Sequence, residues 1–221
     1  GTVAQNLNSI TVQAGHTQSI TFLANFAGGS SQSLAVTGDV TLNAGTLVLN
    51  GFVKTQNFVA AGVDTAADFI TVAGHGFATT DCVSFTTGTG GTLPAGLSAN
   101  TPYYVRVASA DTFTLHTTLA GAASNTNKVD VTGQGTGTQA VIIGIGVTIS
   151  SANFTVASGA VVHSDGLGFP AGQGVVFSAH GGRGDGSSGV PYGDPLAPVT
   201  LGSGFGAVSS SYSAGGGAIK I

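Results

Sequence analysis

The sequence predicts an all-β chain: strands stacked in the manner of a β-solenoid, an inserted small β-barrel or sandwich module, and a Gly-rich C-terminal flap. Three observations predict it. Of the 221 residues 37 are Gly and only 6% are charged, so sharp reversals are plentiful and charged helix surfaces are not. No apolar stripe of 3.6-residue period persists beside capping residues, so almost no helical signal is present. Short runs of alternating apolar residues recur between Gly, Asn and Ser corners, the period of a half-buried strand.

Residues 1–63 are expected to supply the N-terminal solenoid strands. In residues 3–26 (VAQNLNSITVQAGHTQSITFLANF) the apolar positions Ile10 and Val12, then Ile20 and Phe22, alternate with polar ones. This fits either a first coil or a strand donated to a neighbour, and the pattern leaves both open. The clearest alternation is in residues 34–52, with Val36, Val40, Leu42, Leu47 and Leu49 apolar and Gly38-Asp39 and Ala44-Gly45 at turns. Short strands with Gly or Asn corners suit a solenoid, in which each coil stacks its inward side chains on the coil below. The same texture returns at 141–166, where Ile143, Ile145, Val147, Ile149, Phe154, Val156 and Val161 alternate around Gly and Ser.

Residues 64–139 have a different, non-repeating order and are read as an insertion. Strands are expected at 69–72, 81–85, 103–108 and 112–117, separated by Gly, Pro and Asn turns. Residues 140–221 then resume the solenoid, pass through the Gly-rich flap and end in a strand carrying Ile219 and Ile221. The flap is expected to be folded, because a plain linker would be richer in Ser and poorer in Phe and Val. Open solenoid ends bare unpaired backbone groups and recruit further strands, so Ile10, Val12, Ile219 and Ile221 are the candidate assembly residues.

Composition narrows the function classes. There is no Met, Trp or Glu, and Gly1 is read as a processed start with something upstream removed. Mean hydropathy is +0.37, yet no run of about 18 apolar residues exists to span a bilayer; the longest, at 140–149, is of strand length. With a net charge of -4 and little electrostatic repulsion, copies are expected to bury surface against one another. Lys54, Arg106, Lys128, Arg183 and Lys220 form no basic stripe, which excludes nucleic acid as a partner.

Candidate chemistry is thin. The nine acidic residues are all Asp, and the close pairs, Asp64 with Asp68 and Asp185 with Asp194, lie in turns where Asp bonds local backbone. His16, His75, His116, His163 and His180 show no metal-ligand spacing, and no GxSxG elbow offers a nucleophile. The chain is therefore expected not to be an enzyme and to need no cofactor. Asp165, Asp185 and Asp194 would be the oxygens of a calcium site, although the DxDxDG spacing is absent. Cys82, the single cysteine, reads as a buried small hydrophobe. Arg183-Gly184-Asp185 spells a cell-attachment tripeptide, but three common residues recur by chance in a Gly-rich stretch. Asn153-Phe154-Thr155 fits a glycosylation acceptor, which a stacked-coil position would forbid.

Two stretches carry resemblances. Gly74-His75-Gly76-Phe77, Asp81 with Val83 and Phe85, Leu93-Pro94 with Gly96-Leu97, Tyr103-Tyr104-Val105 and Thr112-Phe113 with Leu115 resemble a small β module recurrent in phage tail and virion proteins and in large bacterial surface proteins. The resemblance implies a virion or cell-surface context and carries no chemistry. Phe169-Pro170-Ala171-Gly172, Tyr192-Gly193, Pro195, Pro198, Gly202-Ser203-Gly204 and Gly215-Gly216-Gly217-Ala218-Ile219 with Ile221 are similar to the Gly-rich segment of long β-solenoid bacterial surface and adhesin-like proteins. Val175, Val176, Phe177, Phe205 and Val208 stand where that family tends to have Gly, which implies extra apolar surface for subunit contacts.

The expectation is an extracellular or cell-surface structural protein that self-assembles into a filament, fibre or sheath by strand pairing and end-to-end stacking. The competing expectation is a phage tail-fibre (virion) or adhesin segment binding surface glycans, with Tyr104, Tyr192 and Tyr212 as candidate stacking residues. Tyr103 and Tyr104 face opposite ways in a strand, so at least one is expected in the core.

Overall fold

The computed structural model describes residues 6–7, 9–13, 17–21, 32–99, 101–165, 178–179, 182–183 and 219–220. The fold is all-β, with a single short α-helix among the described residues. Six strands come first: β1 (Asn6–Leu7), β2 (Ile10–Val12), β3 (Thr17–Thr21), β4 (Gln32–Val36), β5 (Asp39–Leu42) and β6 (Gly45–Asn50). They pair in parallel as β1 with β4, β2 with β5 and β3 with β6. Asn6 meets Ala35, Ile10 meets Val40 and Thr17 meets Thr46, so each strand lies beside the one three elements later.

After Gly51 the chain changes style. It runs through β7 (Phe52–Val59), a 3-10 turn at Ala60–Gly62, β8 (Val63–Asp64), β9 (Phe69–Thr71), β10 (Cys82–Thr87), β11 (Tyr103–Val107), β12 (Thr112–His116), helix α1 (Leu119–Ser124) and β13 (Thr138–Ile145). These strands form one seven-stranded sheet in the order β7-β13-β10-β11-β12-β9-β8, every pairing antiparallel. The strands expected at 69–72, 81–85, 103–108 and 112–117 are β9, β10, β11 and β12. Among the described residues the sheet is not closed, with β7 and β8 at its two edges, so a barrel is not shown. β8 is two residues long and its ladder goes to β9, so β7 and β8 do not pair with each other. The sheet also takes in β7, which precedes 64–139, and β13, which begins within that span at Thr138 and runs past it to Ile145.

The chain then returns to its parallel style. β14 (Val147–Ser150), β15 (Asn153–Val156) and β16 (Ala160–His163) add to β4, β5 and β6 in parallel, Ile149 beside Leu34, Phe154 beside Val40 and Val161 beside Thr46. Corner bonds support the match: Asn153 Nδ2 donates to Asp39 Oδ1 at 2.7 Å and Ser164 Oγ to the Leu49 carbonyl at 2.6 Å. β17 (Ser178–Ala179) and β18 (Gly182–Arg183) form a small antiparallel pair, and β19 (Ile219–Lys220) pairs with β14. The rest of the Gly-rich flap lies outside the described residues.

Two cores result. Val12, Leu34, Val36, Val40, Leu42, Leu47, Leu49, Val147 and Ile149 are buried between the three parallel ladders. Ile70, Phe77, Phe85, Tyr103, Val105, Phe113, Leu115, Val141 and Ile143 are among the residues that bury one face of the antiparallel sheet, with Phe113 edge-on to both His75 and Phe77. Ile145 belongs to the second core and Val147 to the first, so one residue, Gly146, separates them. Two glycines are under tight constraint. Gly96 and Gly135 have φ of +102° and +70°, and a Cβ on either would run into a backbone carbonyl, of Asp130 and of Thr92 respectively.

Truncating Phe113 to Ala is expected to cost about 3–5 kcal/mol, the usual range for a fully buried ring. Gly135→Ala adds left-handed strain to a backbone collision and should cost more than about 1 kcal/mol. Urea titration of each variant checks both values.

Candidate functional site

Strands β11 and β12 read YYVRV and TFTLH. Alternation sends Tyr103, Val105, Phe113 and Leu115 into the sheet's core and Tyr104, Arg106, Thr114 and His116 to the opposite face. The ladder sets Tyr104 against His116 and Arg106 against Thr114. Phe113 pairs with Ile70, and one step further on the same antiparallel register Phe69 comes opposite Thr114. Arg106, Thr114 and Phe69 thus form a row across three strands.

Helix α1 covers one end of this face. Thr118 Oγ1 accepts from the Gly121 N–H at 3.0 Å, which satisfies one of the helix's free N-terminal donors. Asn125 ends the helix at a left-handed φ of 58°, a conformation Asn tolerates better than most residues. Ala122 is fully buried against Tyr104 and Cys82. The chain then folds back along the sheet, where Lys128 bridges to His116. Between this return and β9 lies a groove of about 430 Å³ lined by Phe69, Arg106, Val107, Thr114, Asn125 and Lys128, among others.

The groove's electrostatics are set by two cations in different states. Lys128 Nζ lies 2.6 Å from Asp68 Oδ2, and Asp68 Oδ1 accepts from the Val131 N–H at 2.9 Å. The hydrogen bond from Lys128, and then that from Val131, hold the Asp68 carboxyl below its ordinary value. Arg106 has no carboxylate within ion-pair distance among the described residues. Its Nη1 donates instead to the carbonyls of Ala122 and Ala123, each at 3.0 Å, which ties the sheet to the last turn of α1.

Thr114 is oriented from beneath. His116 is fully buried, with Nδ1 2.6 Å from the Thr126 carbonyl oxygen and Nε2 3.1 Å from Thr114 Oγ1. A carbonyl only accepts, so Nδ1 carries the hydrogen, and in the neutral ring Nε2 is then an acceptor. Thr114 therefore donates its hydroxyl hydrogen to His116 and keeps its lone pairs for another donor.

The other buried histidine has a structural place. His75 is 1% exposed, stacks on Phe77 at 5.0 Å between centroids, and accepts through Nδ1 from the Phe77 N–H at 2.9 Å. Nε2 lies 3.1 Å from the Ser109 carbonyl and so carries the hydrogen. Desolvation is the main cause that pushes its pKa below 6.5. Cys82 is likewise buried, and burial pushes its thiol up to about 12.

Of the residues marked out by sequence, Val12 is 1% exposed and lies within the first core, with Ile10 half-buried against it. Ile219 sits in β19 beside Val147 of the same chain. Tyr104 is corrected: at 7% exposed it is covered by Ala122 and offers no open ring face for a sugar. Tyr103 is buried as well, in the main core, and Tyr104 is buried on the opposite face because α1 shields the side of β11 that alternation left to solvent. Ile221, Tyr192 and Tyr212, with Asp185 and Asp194 of the calcium expectation, lie outside the described residues. No group of three or more His, Cys, Asp or Glu side chains fit for a metal occurs among the described residues. Sequence reasoning missed the groove itself. The alternation of YYVRV and TFTLH already placed Arg106 and Thr114 on one polar face, but the short α1 and its return had no periodic signal.

Stability should fall in acid in two steps. His75 has a depressed folded-state pKa, so its contribution is complete above about pH 6.5 and is lost as pH falls towards that lower value. Asp68 behaves alike lower down, its contribution complete above about pH 3.8 and lost below. Thermal melts from pH 8 to 3 should show both, and His75→Gln should remove the first. Cys82 should resist a thiol reagent at pH 8 in the folded protein and react on addition of denaturant. Compared with protein-family models, curated proteins and solved structures, the chain matches none.

Proposed function

We propose that this chain is an extracellular or cell-surface structural protein, built on a β-solenoid, that assembles with copies of itself by stacking coils. In this reading β1 to β3, β4 to β6 and β14 to β16 are three successive coils, and the antiparallel sheet is a module hung between the second and third. The parallel registers support it, since all three ladders advance together across the insertion. So do the low charge and the resemblance of the Gly-rich segment to long bacterial surface and adhesin-like proteins.

One observation carries the reading. Val12, Leu42 and Val156 form a single column, each paired with the next. Val12 and Leu42 are 1% and 0% exposed, whereas Val156 at the end is 46% exposed. The column presents an apolar step of the kind that, one coil earlier, a further strand covers. β15 and β16 each pair on one side only among the described residues, so backbone donors and acceptors accompany that step. A second copy supplying the next coil satisfies both needs. The alternative reading, an adhesin or tail-fibre segment that binds surface glycans, draws support from the mixed polar and apolar groove beside Arg106.

Electron microscopy of the purified protein at neutral pH is expected to show ordered filaments with an axial repeat. Val156→Asp should abolish them, because a carboxylate at the step must be desolvated to stack. Unaltered filaments from the variant overturn stacking at this step, and discrete monomers or trimers from the wild type favour the glycan reading.

A further inference from the structure

We propose that the groove on the outer face of the antiparallel sheet binds a carboxylate-bearing sugar of the uronic acid type, with Arg106 as the group that receives the carboxylate. The inference starts from an imbalance of charge. Arg106 is half-buried and lines the groove, yet its hydrogen bonds among the described residues run to two backbone carbonyls. For a guanidinium partly withdrawn from water a carboxylate or phosphate is the fitting partner, since carbonyls alone leave its charge uncompensated. Both recorded bonds come from Nη1, which leaves Nη2 and Nε, the edge suited to two parallel hydrogen bonds with a carboxylate. The α1 carbonyls hold the guanidinium on its other side, so ordering it costs little on binding.

The neighbours fit the remainder of such a ligand. Thr114 Oγ1, its hydrogen committed to His116, is an acceptor for a ligand hydroxyl. Asn125 brings an exposed amide with both donor and acceptor capacity. Phe69, half-buried in the cross-strand row, and Val107 give apolar surface for the C–H face of a sugar ring. Lys128 is already paired with Asp68, so the pair adds little net attraction and the anion falls to Arg106. At about 430 Å³ the groove is within the range of small-ligand sites, roughly 300–1,000 Å³. A carboxylate, flanking hydroxyls and one apolar face are the features of a uronic acid; a neutral hexose lacks the first, and acetate lacks the others.

The inference does not depend on assembly. Val156, at the column end, lies in a strand whose partner is β5 of the parallel stack, and the Val156→Asp variant is expected to bind as the wild type does. Loss of filaments with binding intact, or the reverse, separates the two readings.

The test is a two-dimensional NMR titration with sodium glucuronate, with glucose and sodium acetate as parallel arms. Saturable shifts at the Arg106 Nε–H and the Asn125 and Thr114 amides are expected at millimolar glucuronate, with acetate at least tenfold weaker and glucose without saturation. Arg106→Gln should raise the glucuronate Kd at least tenfold. Since that variant also loosens α1, Thr114→Val provides a second reading and should weaken glucuronate severalfold while leaving acetate unchanged. Absence of shifts in the wild type at tens of millimolar glucuronate overturns the proposal. So do equal responses to glucuronate and glucose, a folded Arg106→Gln protein with unchanged Kd, or acetate binding as well as glucuronate.

Discussion

Eight residue pairs between β7 and β13, from Phe52 with Ile145 to Val59 with Thr138, govern how the two halves of this molecule coexist. One half is a parallel stack, whose strands pair at long sequence separation and bury side chains between three ladders. The other is an antiparallel sheet in which ladders between successive strands (β8–β9, β10–β11, β11–β12) are joined to longer-range ones (β9–β12, β10–β13, β7–β13). The long ladder closes the base of that sheet and delivers the chain back to within a strand's width of where it left. Only because Phe52 and Ile145 are held opposite each other can β14 fall beside β4 in the register that puts Ile149 next to Leu34. Gly51 and Gly146 stand at the two crossings, one residue each, between parallel and antiparallel pairing.

Around the antiparallel sheet, scarcity of charge gives each ion unusual weight. Among the described residues the basic side chains of the sheet have separate tasks. Lys54 donates to the His75 carbonyl at 2.8 Å and lies 6.0 Å from the Phe77 ring centroid; Lys128 neutralises Asp68; Arg106 spans from β11 to α1. Burial lowers the pKa of Lys54, partly opposed by Asp81. In a more highly charged protein these fields would overlap and screen one another. With so few charges present, the guanidinium of Arg106 is the one cation lining the groove without a paired carboxylate among the described residues.

Much of this architecture was legible in the sequence, for a physical reason. Strand alternation is a property of neighbours, so Val40, Leu42, Leu47 and Leu49 announced an inward face, and the strands around Cys82, Tyr103 and Phe113 could be located within a residue or two. Pairing is not a property of neighbours. Nothing local says that β7 belongs with β13, and so the insertion's ladders extend into residues read as solenoid. Helix α1 also escaped notice: LAGAAS is six residues, short of two full turns, and its formation rests on the Thr118 cap and on Ala122 packing against Tyr104. The same oversight made Tyr104 look accessible. Its side of β11 was correctly separated from that of Tyr103, but a segment over fifteen positions later covers it.

The length of the detour has a kinetic meaning. Asn153 and Asp39 are 114 positions apart, and Ser164 and Leu49 are 115, so the third set of parallel strands has a large loop to close before its contacts offer any return. The antiparallel sheet contains the remedy. Its β8–β9, β10–β11 and β11–β12 ladders join successive strands, and once β7 and β13 have zipped together the intervening chain contributes hardly more to the search than a tight turn. The inserted sheet is thus expected to act as a folding clamp, since by closing it shortens the chain that the parallel stack experiences.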